Sequence, residues 1–224
     1  MIRSVLGSRA AIGGVLGSGR GGAAAQWWLS GGVLAANAVA VYQPVGAASL
    51  AASYTNLANP GVYTAAPGVA PTFDTATGWT FNGSTQYLTT GVTPNAGGAS
   101  MICRMQLSPS TVNAICSSYS TNKRFFLTSN YTGIGRIYGY GNALSISPGI
   151  NTDCVMAIAG LNAYLNGSSD GTVTAGGTLP TEIILVGATA VGAYSGGIVT
   201  ALAIYNTILT APQVAAISAA MAAL

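Results

Sequence analysis

Short runs of alternating apolar and polar residues, punctuated by Asn-Gly and Gly-Gly pairs, fill this chain from about residue 79 to residue 209. A period of two is the side-chain period of a strand with one buried face, and turn signals spaced this closely leave no room for helices between strands. Strands are expected at 79–81, 87–89, 100–107, 111–117, 124–128, 135–140, 144–146, 153–159, 161–165, 171–174, 183–186 and 197–205. So many short strands without interleaved helices predict an all-β fold, an antiparallel β-sandwich. Asn166-Gly167 is the strongest hairpin signal, because a two-residue type I′ turn needs positive φ at both positions. One short helix is expected at 211–224. Thr210 and Gln213 spell a capping box, Pro212 sits in the first turn, and Val214, Ile217, Met221 and Leu224 form one apolar stripe.

Charge is scarce: the 224 residues include 7 Lys+Arg, 4 Asp+Glu and no His, against 50% hydrophobic residues. Disordered chains have the opposite balance, so disorder is excluded. Arg3, Arg9 and Arg20 all precede the first acid, Asp74, and the remaining Arg104, Lys123, Arg124 and Arg136 balance the four acids. A neutral, apolar-rich surface promotes association, so other proteins and further copies of this chain, in a homo-oligomer such as a trimer, are the expected partners. Residues 1–72 read as an extended N-terminal assembly arm and linker, and residues 73–224 as the sandwich with its C-terminal helix. Arg3, Arg9, Arg20, Trp27 and Trp28 are the candidate assembly residues, the tryptophans offering large anchoring area. Arg9 and Arg20 interrupt any signal-peptide core, so no signal peptide is expected. Gln26, Ser30 and Asn37 make 23–41 a poor membrane span, so a membrane is not an expected partner. Three arginines in twenty residues are a sparse footprint for phosphates, and nucleic acid is not expected either.

Cys103 alternates with Met101, Met105 and Leu107 on one strand face while Arg104 and Gln106 take the other. Cys103, Cys116 and Cys154 form no CxxC and read as reduced thiols of an intracellular folding environment. Glycoside hydrolysis needs paired carboxylates, and Ser or Cys nucleophiles need a base such as His. With scattered acids and no His, the chain is expected to be neither an enzyme nor a holder of cofactor or metal. The sequons at Asn82, Asn130 and Asn166 read as turn residues, where Asn tolerates positive φ. The candidate glycan-binding surface is Asn130, Tyr131, Arg136, Tyr138, Tyr140 and Asn142: two tyrosines on one strand face, flanking glycines, and amide and guanidinium groups nearby.

Three stretches carry a resemblance. Phe81-Asn82-Gly83-Ser84-Thr85-Gln86-Tyr87-Leu88 resembles the opening segment of concanavalin A-like and laminin G-like domains. Leu161-Asn162-Ala163-Tyr164-Leu165-Asn166-Gly167 is similar to their hairpin, and 195–210 with Gln213 and Ile217 is similar to their closing strand and final helix. The match covers about residues 79–222 and implies a jelly-roll sandwich that often serves carbohydrate binding or adhesion. Where that family commonly carries an acidic pair in the closing strand, this chain has Thr200 and Ala201, which argues against a family-type calcium site. The whole chain also resembles virion proteins of tailed bacteriophages. Together these imply a non-enzymatic virion component, made in the host cytoplasm, as a decoration, fibre or tail-associated protein that displays a lectin-like sandwich to a host glycan. The alternative is a carbohydrate-binding module whose main role is glycan recognition.

Overall fold

The computed structural model describes residues 26–108, 114–131, 135–174, 177–190 and 192–224. The first part carries 3-10 turns at Trp27–Leu29 and Ala35–Asn37, strand β1 (Ala38–Tyr42), a single helical turn α1 (Leu50–Ser53), β2 (Ala66–Val69) and β3 (Thr72–Asp74). Next come β4 (Gly78–Asn82), β5 (Tyr87–Thr89), β6 (Ser100–Leu107), β7 (Cys116–Ser120), β8 (Lys123–Tyr131), β9 (Gly135–Gly141) and β10 (Ala143–Ser147). The last part adds β11 (Cys154–Ala159), β12 (Asn162–Leu165), β13 (Ser168–Thr172), β14 (Leu185–Val186), β15 (Ala188–Ala190), β16 (Ala193–Tyr194), β17 (Gly196–Tyr205) and α2 (Ala211–Ala222).

These strands form an all-β, antiparallel jelly-roll sandwich with a C-terminal helix. The first sheet runs β13-β12-β11-β6-β17-β4-β3, with β1 also paired to β17; the second runs β10-β9-β8-β7-β14-β5-β2; β15 and β16 form a separate hairpin. Alternation determines what lies between the sheets. Met101, Cys103, Met105 and Leu107 of β6 face Phe125 and Leu127 of β8 and Tyr138 and Tyr140 of β9 in one core, with Trp79 and Tyr42 among its largest members. Trp79 Nε1 donates to Ser53 Oγ at 2.7 Å and the Tyr42 hydroxyl to Tyr63 O at 2.6 Å, so the polar tips of both buried rings are satisfied. All three cysteines are free and buried. Burial holds the Cys103 thiol well above its ordinary range and, with help from the Asp153 carboxylate, pushes Cys154 up to about 12.

The first sheet is buried on its outer face as well. There Ile102, Val155, Ala157, Tyr164, Ala201 and Ala203 pack under Val214, Ile217 and Met221 of α2 and under Trp27 and Trp28. Helix α2 starts where the sequence places it, with the Thr210 N–H donating to Gln213 Oε1 at 3.0 Å. Arg104 holds its other end: Nη1 donates to Met221 O and Ala222 O at 3.2 and 3.3 Å, while Nε and Nη2 grip Asp153. A cation on the last carbonyls of a helix offsets its dipole. The Asn166-Gly167 turn has φ of 49° and 81°, as a type I′ turn requires.

Several expectations change. The strand expected at 111–117 is Cys116–Ser120, with 111–113 outside the described residues, and the one expected at 171–174 is Ser168–Thr172. The division between residues 72 and 73 does not separate arm from sandwich, because β1 pairs with β17 from Ala38 opposite Tyr205 to Tyr42 opposite Leu202. Trp27 and Trp28, expected to anchor a partner, are 3% and 7% exposed inside their own chain. Their rings stack edge-on at 5.7 Å. Trp27 Nε1 donates to Gln43 Oε1 at 2.8 Å, and the Tyr205 hydroxyl donates to Trp28 O at 2.8 Å. The sheet under α2 needs an apolar cover, and the tryptophans complete it. Arg3, Arg9 and Arg20 lie outside the described residues. No described helix is long and apolar enough to cross a membrane.

Trp28→Ala is therefore expected to behave as a core truncation, costing about 3–5 kcal/mol in urea unfolding. An unchanged unfolding midpoint would return Trp28 to the role of a partner anchor.

Candidate ligand groove on the second sheet

Strand β9 places the candidate residues on the side opposite to the one expected. Its register pairs Tyr140 with Phe125, Tyr138 with Leu127, Gly139 with Phe126 and Ile137 with Thr128. Residues 136, 138 and 140 thus point between the sheets and 137, 139 and 141 point outward. Tyr138 is completely buried; its hydroxyl crosses the sandwich to donate to Asp170 Oδ2 at 2.7 Å, with Tyr164 O at 3.2 Å. Arg136 is bidentate on the same carboxylate, Nε to Oδ2 at 2.9 Å and Nη2 to Oδ1 at 2.7 Å, and Nη1 donates to Pro148 O. Tyr140 packs edge-on against Phe125 at 5.9 Å. Asn130 is buried with its amide donating to Asn151 Oδ1. Arg136, Tyr138, Tyr140 and Asn130 are therefore structural, a correction to the expected glycan surface. Asn142 is exposed at the β9–β10 turn, and Tyr131 is half-buried on the outer face. The sequons divide likewise: Asn82 Oδ1 caps the 83–86 turn, Asn166 Oδ1 accepts from Val155 N, and Asn130 sits within a strand rather than a turn.

Burial by itself would raise the Asp170 carboxyl. The Arg136 guanidinium and the Tyr138 hydroxyl outweigh it and hold the group below the usual carboxylate range. Burial, then the bond to Asp170, pushes the Tyr138 hydroxyl upward.

Among the described residues, no helix lies over the outer face of the second sheet. Ala114, Phe126 and Ile137 form a small apolar cluster there, with Tyr131 and Leu144 packed against it. Around it lies a groove of about 380 Å³ whose lining adds Tyr119, Arg124 and Thr128 from the sheet and Thr189, Ala190 and Ala193 from the β15–β16 hairpin. The single Ser117 hydroxyl proton, with Oγ 2.9 Å from both Ala188 O and Thr189 O, is shared between these two carbonyls and ties that hairpin wall to the sheet. Thr189 Oγ1 in turn accepts from Ala114 N at 2.8 Å. Gly139 makes the floor possible: a Cβ there would stand 3.0 Å from the Phe126 ring and from Arg124 Cβ. A second hollow of about 430 Å³ adjoins the groove, shares Tyr119, Thr189 and Ala190 with it, and adds Glu182, Ile183 and Leu185.

The groove has an apolar, partly aromatic floor with a few polar groups at its walls, the usual make-up of a small-ligand site. The glycines that the sequence displays beside Tyr138 and Tyr140 clear this outer face, and their parity was the signal for Phe126, Thr128 and Ile137. Among the described residues, no three Cys, Asp or Glu side chains gather where they could hold a metal ion.

No protein-family model matches the chain, and no curated protein matches it. In three dimensions it is similar to a mutant of Trypanosoma rangeli sialidase displaying trans-sialidase activity, with a TM-score of 0.57 and 17% identity over 84% of this chain and 34% of that one. It is similar to the covalent-intermediate complex of that sialidase with 2,3-difluorosialic acid, at TM-score 0.56 and 13% identity over 82% and 32% of the two chains. It is also similar to the receptor binding domain of botulinum neurotoxin D, at TM-score 0.60 and 11% identity over 83% and 53%. The chain thus spans about a third of the sialidase chains and about half of the neurotoxin domain, and at these identities the likeness is one of fold. It overturns the expectation that this chain is not an enzyme, since the fold recurs within chains described as sialidases.

Because the Asp170 carboxyl is held low, its contribution to stability is complete above the unfolded value near 3.8 and is lost as pH falls through the lower folded value. Wild type should lose more stability than Asp170→Asn between about pH 5 and 3 in urea unfolding. At pH 7 Asp170→Asn should be destabilised by about 3–5 kcal/mol, because it strands a buried guanidinium. Parallel pH profiles would refute this account.

Proposed function

We propose that this chain is a carbohydrate-recognition sandwich that binds glycans in the groove on the outer face of its second sheet. One observation carries the reading: the first sheet is covered on its outer face by α2 and the tryptophans, whereas the second presents a preformed groove floored by Phe126 and Ile137 and edged by Arg124, Tyr119 and Thr189. A sugar ring has an apolar C–H face and a hydroxylated edge, so it fits a site that pairs an aromatic floor with polar walls. The concanavalin A-like and laminin G-like resemblance of residues 79–222 points the same way. So does the company of the fold, in sialidase chains and a neurotoxin receptor binding domain. The setting we propose is display on a virion, with Arg3, Arg9 and Arg20 docking on a protein partner or a second copy; the resemblance to phage virion proteins and the arginine-only start support it.

Ala193 lines the groove from the hairpin, is half-buried, and contributes nothing to the inter-sheet core. Ala193→Trp should therefore fill the site while leaving the melting temperature within about 3 °C of wild type. On a glycan array, wild type should bind at least one glycan class and the variant should lose about tenfold or more of that affinity. Undiminished binding by the folded variant would move recognition elsewhere, and no bound glycan at all would end the reading.

A further inference from the structure

The groove is electrically lopsided, and one of its hydroxyls has no partner. Among the described residues Arg104 pairs with Asp153 and Arg136 with Asp170, which leaves Lys123 and Arg124, adjacent at the start of β8, without a carboxylate. Arg124 lines the groove; Nη1 donates to Asn142 O at 3.3 Å, its single hydrogen bond among the described residues, out of the five donors a guanidinium carries. Thr128 lines the same groove four residues on, is fully buried, and its Oγ1 has no hydrogen-bond partner. A buried hydroxyl is nearly always bonded, because leaving it unmet forfeits its hydration without return. Across Tyr119, the adjoining hollow carries the opposite charge in Glu182, which is exposed.

We infer that the groove takes a neutral oligosaccharide bearing one acidic sugar, whose anionic group lies on Arg124 and one of whose hydroxyls completes Thr128. The inference rests on the glycan reading above and narrows it. Arginine matches a carboxylate with two parallel N–H donors, a geometry that lysine lacks. A uniformly acidic polymer is disfavoured, because its next charged unit would meet Glu182. The acidic sugar therefore sits at the Arg124 end and neutral sugars run past Tyr119.

The test uses the full chain and four probes in calorimetric titration: 3′-sialyllactose, its methyl ester, 3′-sulfolactose and lactose. The charged sialyllactose should bind about tenfold or more tighter than its methyl ester and lactose, and Arg124→Gln should remove that preference. Arg124→Lys should restore only part of it, and sulfolactose should fall between the charged and neutral probes. Thr128→Val supplies a readout that a structural role would not move: it should raise the melting temperature by about 2–4 °C, by removing an unmet hydroxyl, while weakening sialyllactose binding about fivefold or more. Glu182→Gln should leave sialyllactose unchanged and improve binding of tetragalacturonate. Equal affinity for sialyllactose and its methyl ester, or a preference untouched by Arg124→Gln, overturns the inference while leaving the glycan reading standing. The same holds if all four probes fail but the array shows a bound neutral glycan. Failure on both the probes and the array overturns both.

Discussion

A single buried ion pair determines which way the second sheet faces. Arg136 and Asp170, with side chains 8% and 15% exposed, meet between β9 and β13 at the edge of the sandwich, and the Tyr138 hydroxyl closes on the same carboxylate. In a chain with eleven charged residues, a guanidinium on the inner face of a strand must find its acid there or carry an uncompensated charge into the core. A slip of β9 by one residue would turn Arg136 and Tyr138 outward and leave Asp170 behind. The pair therefore does more than add stability. It specifies register, and register decides which residues of β8, β9 and β10 form the outer surface.

The two sheets then diverge in what covers them. Helix α2 and the Trp27–Trp28 pair close the outer face of the first sheet, and Arg104 fastens the end of the helix to it. Among the described residues nothing comparable lies over the second sheet. Its outer cluster is small, and Gly139, lacking a Cβ, leaves room for the Phe126 ring beside it. Strands β15 and β16 form a wall at one side, tied down through Ser117. Among the described residues the two outer faces therefore differ: the first sheet is covered, and the second carries the groove.

Much of this was legible in the sequence, for local reasons. Period-two alternation marks strands whenever one face is buried, and most strands from β4 onward lie within a residue or two of their expected positions. Asn166-Gly167 and the Thr210 to Gln213 box depend on φ preferences and side-chain reach within four residues, so they carried over directly. Strands β1 to β3 were not legible. Ala38–Tyr42 gains its strand identity from pairing with β17, 160 and more residues away, and Ala66–Val69 includes a proline and a glycine that read as turn.

The candidate site failed on parity alone. Tyr138 and Tyr140 were rightly placed on one face of one strand, but alternation says only that two faces differ, and with β-formers on both it does not say which is inside. That choice rests on contacts across 34 residues from Arg136 to Asp170 and on the side of each sheet where α2 comes to lie. The sequence by itself determined the fold class, the strand periodicity, the helix start and the scarcity of charge that makes each ion pair count. The tertiary structure decided which face of β9 meets solvent and which tryptophans are core, and so which residues a ligand can reach. Burial is a property of how sheets stack and not of the order of residues along any one strand.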